Sequence, residues 1–478
     1  MIDRIVQIND LSDPKGGASK LAVDAACGLA ARGHPVTFIT GDEGHSPALT
    51  AAGVDIVALG QQRLKASGRF SALANGLWNR AAHAMVSAWI AAHDTPQTVY
   101  HLHGWAQILS PAVFGALTPV RDRLVISAHD FFLACPNGAF AWLKSGNVCP
   151  HTPLSQACLI TPCDRDGAAH KAWRSVRQAI HRKAFHPRSS PPVLAIHESM
   201  REFLSRGGIP DHAIVTLPNP AVPFSQSRIP AERNREVLFV GRLEDSKGVD
   251  LAARAAAMAG APLSVVGEGP FADRVTDLYP AARMLGRRSP PEIREIAARA
   301  RMLVMPSRYP EPFGLVAIEA AWSGLPVILA ETALLAPDII GCGAGLAIDP
   351  RDTPRFAAAI LRLSEDDTAI RAMSEAAYAA TRPLALTPQT WIDRIEGILH
   401  QRIAPSPIED QVISATIPAH SARLSAPASS HHFQTMGLPP AGAGRDRAFD
   451  EADGGLATAC SSLGSSPAMI SSSCHATS

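Results

Sequence analysis

The stretch Pro306-Ser307-Arg308-Tyr309-Pro310-Glu311-Pro312-Phe313-Gly314-Leu315-Val316-Ala317-Ile318-Glu319 decides the fold. It follows Met302-Leu303-Val304-Met305, a short apolar run that reads as a buried strand. Pro306, Pro310 and Pro312 hold the chain in a turn, and a helix begins near Phe313-Gly314. Strand, turn and helix form the repeating unit of an open parallel sheet. Ligands of such sheets sit outside the carboxyl ends of the strands, where helix N-termini offer free N–H groups and partial positive charge. That place suits a phosphate. Glu311 precedes the helix, and Glu319 lies eight positions later in its first turns. Taken singly, Glu311 reads as a helix cap and Glu319 as a solvated helix charge. As a pair in this context they read as ligand-facing carboxylates, Glu319 being placed to accept from hydroxyls such as a ribose diol.

The same alternation extends in both directions. Strand signals at 236–240, 263–266, 302–305, 326–329 and 345–348 are interleaved with helical spacing at 249–258, 291–300, 315–322 and 353–363. Toward the N-terminus, strands are predicted at 4–8, 36–40, 54–59, 98–102, 124–127, 193–196 and 214–217, with a helix at 21–31. The class is α/β, two Rossmann-like domains of parallel sheet. Pro218, Pro220, Pro223 and Pro230 fall where no apolar period runs. The predicted division is a first domain at 1–222, a linker at 223–235 and a second domain at 236–402. The second ends in a helix near 388–400, where Trp391, Ile395, Ile398 and Leu399 share one face. Beyond it Ser, Ala, Pro, Gly and Thr dominate 403–478, too little apolar surface to offset chain entropy, so a disordered tail is expected.

Composition sets the outer bounds. The 478 residues carry 44 Lys+Arg against 43 Asp+Glu, a net charge of +1, which excludes a globally basic nucleic-acid binder. An apolar fraction of 46% supplies ample core. Eight cysteines are too few for a disulfide-stapled scaffold. Met1-Ile2-Asp3-Arg4-Ile5-Val6-Gln7-Ile8 lacks the pattern of a signal peptide, and no run of 18 apolar residues occurs. A cytoplasmic location is the expectation.

Three further stretches carry candidate chemistry. In Gly241-Arg242-Leu243-Glu244-Asp245-Ser246-Lys247-Gly248, two cations flank a loop at the end of a strand. They could clamp a diphosphate, Arg as a fork and Lys as a point charge; on spacing alone, two surface cations are the commoner arrangement. Both side chains are expected to serve the ligand and not the core. Gly267-Glu268-Gly269-Pro270 reads as turn chemistry. Gly16 and Gly17 allow close backbone approach to an anion. Neither G-x-G-x-x-G nor G-x-x-x-x-G-K-[ST] occurs, which weighs against NAD enzymes and P-loop ATPases.

Together these stretches resemble the retaining glycosyltransferases of family four, which have the GT-B fold, over about residues 4–400. Gly241-Arg242-Leu243 with Lys247-Gly248 resembles that family's diphosphate clamp. Val266-Gly267-Glu268-Gly269-Pro270 matches its next strand end, and Glu311 to Glu319 its Glu-x7-Glu signature with Phe313, Gly314 and Leu315 inside. Arg32-Gly33-His34-Pro35-Val36 and Gly16-Gly17 resemble its first turn and glycine loop, while Leu217-Pro218-Asn219-Pro220 departs from the usual Pro-Asn-Gly-Val. The resemblance implies sugar transfer from a nucleoside diphosphate sugar to a glycan or lipid-linked glycan acceptor, with retention of configuration and two domains facing across a cleft. Arg242 and Lys247 would stabilise charge on the departing diphosphate, Glu311 would hold donor-sugar hydroxyls and Glu319 the ribose. Gly16, Gly17, Phe313, Gly314 and Leu315 would line the donor. His129 matches a histidine that reaches the donor sugar from the other domain; outside that context it reads as a structural histidine at a strand end. No metal or other cofactor is required by this design. A non-catalytic sugar-nucleotide-binding scaffold, a sugar-nucleotide epimerase and a phosphorylase are the competing readings.

Two features remain open. Cys135, Cys149, Cys158 and Cys163 are separated by 13, 8 and 4 residues within an insert at 131–165. They read either as a thiolate metal site without a C-x2-C knuckle or as buried thiols. His129-Asp130-Phe131-Phe132-Leu133-Ala134-Cys135-Pro136-Asn137-Gly138 resembles a bacterial subgroup of the family that acts in surface polysaccharide synthesis. In 171–188, Lys171, Arg174, Arg177, Arg182 and Lys183 alternate with Trp173, Val176, Ile180 and Phe185. Such a helix can rest on an anionic membrane as a peripheral contact, or pack its apolar stripe on the domain.

Overall fold

A computed structural model describes residues 1–403 except 14, 15, 65 and 67. The expected tail falls outside the described residues. The first sheet contains β1 (Arg4–Asn9), β2 (Val36–Thr40), β3 (Asp55–Ala58), β4 (Thr98–Leu102) and β5 (Leu124–Ala128). After a small antiparallel hairpin of β6 (Ala141–Trp142) and β7 (Asn147–Val148), β8 (Val193–Ala195) and β9 (Ile214–Thr216) complete it. Its order is β3-β2-β1-β4-β5-β8-β9, parallel throughout. The second sheet contains β10 (Glu236–Val240), β11 (Leu263–Val266), β12 (Arg283–Met284), β13 (Ala300–Met305), β14 (Val327–Ala330) and β15 (Gly345–Ile348). Its order is β12-β11-β10-β13-β14-β15, again parallel.

Central strands carry near-continuous apolar runs because helices cover both faces. Val237, Leu238 and Phe239 of β10 and Met302, Leu303 and Val304 of β13 are buried on successive positions. Three short strands escaped the sequence reading. β12 is two residues long, and the β6–β7 hairpin lies in the cysteine insert; neither is long enough to show a period.

Each sheet reverses its direction of growth once, between β1 and β4 and between β10 and β13. A crevice opens at such a switch point, because the loops leaving the two strands diverge to opposite faces. The loops after β1 and β4, and those after β10 and β13, contain most of the candidate residues. The chain then returns to its start. Ala221 donates to Leu386 O at 2.9 Å, and the helix Pro388–His400 packs Trp391, Ile392, Ile395 and Leu399 into the cluster of Leu21, Ala25 and Leu29. Arg32 forms ion pairs with Asp393 and Glu396 on that helix. Gly28 lets the two helices close: a Cβ there would stand 2.7 Å from Ile392 Cδ1.

Candidate active site

The loop after β10 is held by glycines. Gly248 has φ +66°, and a Cβ on it would lie 2.0 Å from Pro306 O. The loop therefore packs directly against the start of the 306–314 turn, and Arg308 N donates to Ser246 O at 2.9 Å. Gly267 and Gly269 do more than turn the chain. A Cβ on Gly267 would meet Gly241 O at 1.8 Å, and one on Gly269 would meet Leu243 O at 2.4 Å. Glycine is thus required where the loop after β11 lies backbone to backbone against the 241–243 segment.

This packing brings Lys247 to Glu311. Lys247 Nζ lies 2.7 Å from Glu311 Oε2 and 2.9 Å from Oε1, and it donates to Tyr309 OH at 3.2 Å. Ser307 Oγ donates to Glu311 Oε2 at 3.0 Å. Burial pushes the Glu311 carboxyl up, but the Lys247 charge and the hydrogen bonds of Lys247, Tyr309 and Ser307 outweigh it and hold Glu311 below the usual carboxylate range. Lys247 is correspondingly held above the usual lysine range: burial opposes this, and the Glu311 charge overrides it. The pair is fully ionised at neutral pH. This corrects one expectation, that Lys247 serves only a ligand. It is also half of a largely buried ion pair.

Arg242 is not in that cluster. Its side chain is 66% exposed and pairs with Glu244 at 3.0 Å. Ser246 Oγ holds the same Glu244 oxygen at 2.6 Å. Arg308 is tied down by Asp250, with contacts of 2.7 and 2.8 Å. Among the cations of these loops, Arg242 therefore keeps the freedom to turn toward an incoming anion.

Gly314 caps the helix Leu315–Ala321 at φ +73°, with Phe313 buried before it. A Cβ on Gly314 would meet Met305 Cε at 2.8 Å, so the turn closes tightly over the end of β13. Glu319 is on this helix but apart from the Lys247 pair. Burial pushes its carboxyl up to about 7, and only Lys20, from the helix Gly17–Ala30 of the first sheet, draws it down. Lys20, whose ammonium pairs with Asp24, is thus near enough for its charge to act on Glu319 across the two halves. Gly16 and Gly17 begin the Lys20 helix, are exposed, and have nothing within 4 Å of where a Cβ would stand.

His129 follows β5 and stacks on His103, which follows β4, with ring centroids 5.3 Å apart. His103 Nε2 lies 2.7 Å from Gln7 Oε1, and His103 Nδ1 lies 3.0 Å from His129 Nε2. With Gln7 Oε1 as acceptor, His103 carries its proton on Nε2, so His129 must donate from its own Nε2. His129 Nδ1 is then a bare acceptor, buried and without a partner among the described residues. Burial lowers the His129 pKa to about 4, so the ring stays neutral near pH 7. A pH–rate profile between pH 5 and 8 should therefore show no limb that disappears in His129→Asn; a lost limb near pH 6 would contradict the neutral assignment.

The first half of the basic stripe of 171–188 turns into the protein. Lys171 and Arg177 are buried, Arg174 pairs with Asp164 at 3.3 Å, and Val176 points outward at 51% exposure. Arg177 sits among Trp105, Phe132 and Trp173, with its guanidinium carbon 5.2–5.4 Å from their ring centroids. Lys171, Arg174 and Arg177 thus pack and pair within the fold, while Lys183 and Arg188 remain exposed. No described helix is long and apolar enough to cross a membrane. Sequence reasoning also missed Ser307, Tyr309, Gln7 and His103. The first two lie within the decisive stretch itself, four and two positions before Glu311, and could have been read there. Gln7 and His103 carry no local signal.

Residues 15–222 match the Glycosyltransferase Family 4 model and residues 224–380 match Glycosyl transferases group 1. A glycogen synthase of Mycobacterium tuberculosis is 30% identical over 271 residues, a match that covers 53% of this chain and 63% of that protein. The chain thus spans somewhat under two thirds of that curated relative. Among solved structures, sucrose-phosphate synthase from Thermosynechococcus elongatus superposes with a TM-score of 0.60 at 19% identity, covering 84% of this chain and 98% of that one. Anabaena HepE in complex with UDP gives 0.58 at 17% identity, covering 83% and 100%. Two parallel sheets with their switch-point loops turned to one another, and family matches that together take in both halves, lead to one assignment: the chain belongs to the group 1 glycosyltransferases of the GT-B fold.

Proposed function

We propose that the protein transfers a sugar from a nucleoside diphosphate sugar to a glycan or lipid-linked glycan acceptor, with retention of configuration, in the synthesis of a surface polysaccharide. The observation that carries this reading is the Lys247–Glu311 pair, 2.7 Å apart at the ends of two adjacent strands, with the exposed Arg242 on the same loop as Lys247. The HepE relative of the same fold was solved with UDP, which fits a nucleotide donor here. The surface-polysaccharide role rests on the likeness of 129–138 to its subgroup.

Bond breaking at the donor sugar leaves negative charge on the diphosphate. Lys247 is a fixed, fully charged ammonium, so no reorganisation is needed when that charge develops. Arg242 exchanges Glu244 for phosphate oxygens, its planar fork suiting two of them. The backbone of Phe313–Leu315 lines the third side. Glu311 already accepts from Lys247 twice and from Ser307 and Tyr309 once each, which fills its roughly four lone-pair sites. Its first task is to aim Lys247, and a donor-sugar hydroxyl binds it by displacing one of these donors. His129 offers Nδ1 to a sugar hydroxyl from the other side. No cofactor takes part in these steps.

Glu319 gives a pH test. An ionised carboxylate can accept from both hydroxyls of a ribose, and a protonated one cannot. With its pKa near 7, nucleoside diphosphate affinity should rise as pH increases from 6 to 8. Isothermal titration at both pH values should show this, and Glu319→Gln should bind more weakly and lose the pH dependence. A wild-type affinity flat across that range would remove Glu319 from the ribose site. A thermal-shift panel of nucleoside diphosphate sugars identifies the donor, since a bound ligand raises apparent stability. Binding without transfer to any supplied acceptor, together with wild-type-like binding in Arg242→Ala, would favour the scaffold reading.

A further inference from the structure

The insert between β5 and the helix Ala168–Phe185 is built around sulfur. Cys135, Cys149, Cys158 and Cys163 are all buried, between 4% and 7% exposed, and none is in a disulfide. Around Cys135 the insert also buries Leu133, Ala134 and Phe140, but beside Cys149 and Cys158 the aliphatic residues point the other way: Val148 is 41% exposed, Leu159 50% and Ile160 77%. A segment folded by apolar burial would invert that choice. Its regular structure amounts to the two-residue strands β6 and β7 and the five-residue helix Gln156–Ile160, and Phe140 and Leu154 take positive φ. A module this small and irregular needs a staple.

A second observation concerns Lys171. Its side chain is buried, 4% exposed, and Nζ points at Cys163 Sγ at 3.1 Å and Cys158 Sγ at 3.6 Å. No carboxylate pairs with it among the described residues. A buried ammonium whose polar partners are sulfurs calls for negative charge on those sulfurs. Cys135 belongs to the same group, with the Cys163 and Cys149 sulfurs as its neighbours. Neutral sulfurs would leave the Lys171 ammonium without a counter-charge among the described residues.

We propose that Cys135, Cys149, Cys158 and Cys163 form a tetrathiolate site for one zinc-class divalent ion. Binding releases four thiol protons and gives a centre of charge −2, which the Lys171 ammonium half offsets. No three of the four sulfurs lie within 4.8 Å of one another, so the thiols draw in by χ1 rotation on binding. The ion fastens an element that reaches the second half of the protein. Arg351 donates to Asn147 Oδ1 at 2.8 Å and to Ser145 O, Arg165 pairs with Asp245 at 3.2 Å, and a Cβ on Gly146 would meet Arg308 O at 2.7 Å. Asp245 and Arg308 belong to the loops that hold Lys247 and Glu311, so the stapled insert braces the site from outside.

The test is metal analysis of the full chain purified without chelator. About one zinc per chain is expected, and cobalt exchanged into the site should give the visible absorption of tetrahedral thiolate ligation. Cys158→Ser with Cys163→Ser should lower bound zinc at least about tenfold, Lys171→Met should weaken zinc affinity about 10–100-fold, and Cys27→Ser and Cys342→Ser should keep full occupancy. Chelation should make 140–165 the first site of limited proteolysis. Folded wild-type protein with no metal, whether its four cysteines are free thiols or disulfides, overturns the site. Iron with acid-labile sulfide overturns the zinc assignment, and full zinc in the double cysteine variant overturns the ligand set.

Discussion

Lys247→Ala is expected to cut turnover by about two orders of magnitude and to lower the melting temperature, whereas Arg242→Ala should cut turnover similarly and leave melting unchanged. Losing one preorganised charge-stabilising group costs about 3–4 kcal/mol of barrier, which sets the rate effect for both. The stability effects part because the environments differ. Arg242 is 66% exposed and its pairing with Glu244 is a surface contact, worth little to the fold. Lys247 is 21% exposed and its partner Glu311 14%, so truncation strands a carboxylate in a largely buried position. Removal of one member of a buried pair costs about 3–5 kcal/mol, and residual water access places this one at the low end. Lys247→Ala/Glu311→Gln should recover part of the melting temperature and none of the rate. Initial rates with the identified donor, together with thermal melts, separate the outcomes. Near-wild-type rates in both single variants would sink the proposed diphosphate clamp, while an unchanged melt in Lys247→Ala would show that the ion pair is not structural.

Gly248→Ala should destabilise the protein by about 3 kcal/mol or more and abolish donor binding. Left-handed backbone costs an alanine roughly 1 kcal/mol, but the larger effect is steric. The new methyl would stand 2.0 Å from Pro306 O and 3.0 Å from Pro306 C, and both are backbone atoms at the end of β13 that cannot rotate away. Relief requires the 241–248 loop to lift from the 306–314 turn. That motion breaks the Arg308 N to Ser246 O bond and separates Lys247 from Glu311. Urea unfolding gives the stability change and isothermal titration the binding loss. Gly16→Ala is the control: its Cβ meets nothing within 4 Å and its φ is −137°, so folding should be unaffected. A Gly248→Ala variant as stable as wild type would mean that the loop contact does not constrain the site.

The strand order of both sheets was not in the sequence, but the strands themselves largely were. Runs such as 36–40, 236–240 and 263–266 coincide with β2, β10 and β11 because a strand covered on both faces is apolar at most of its positions. The helix over 315–321 was legible from the turn that precedes it. The reach of the first helix back to Gly17, and β12, were not, since short or glycine-led ends carry no period.

The site divides along the same line. Local sequence determined the segments that carry it: Lys247 and Arg242 on one loop, Ser307, Tyr309 and Glu311 on the next, and Glu319 on the helix that follows. The chemistry of a residue and its position relative to a strand end are written in a few neighbouring letters. Tertiary structure alone decided who meets whom. It ionised Glu311 by bringing Lys247 from 64 positions away, held Arg242 apart, and raised Glu319 by burial. It also fixed the donating nitrogen of His129 through His103 and Gln7, and turned the cations of 171–177 inward, two of them toward sulfur and aromatic rings. Charge state and orientation depend on desolvation and on partners distant in the chain, and those exist only once the two sheets and the insert have packed.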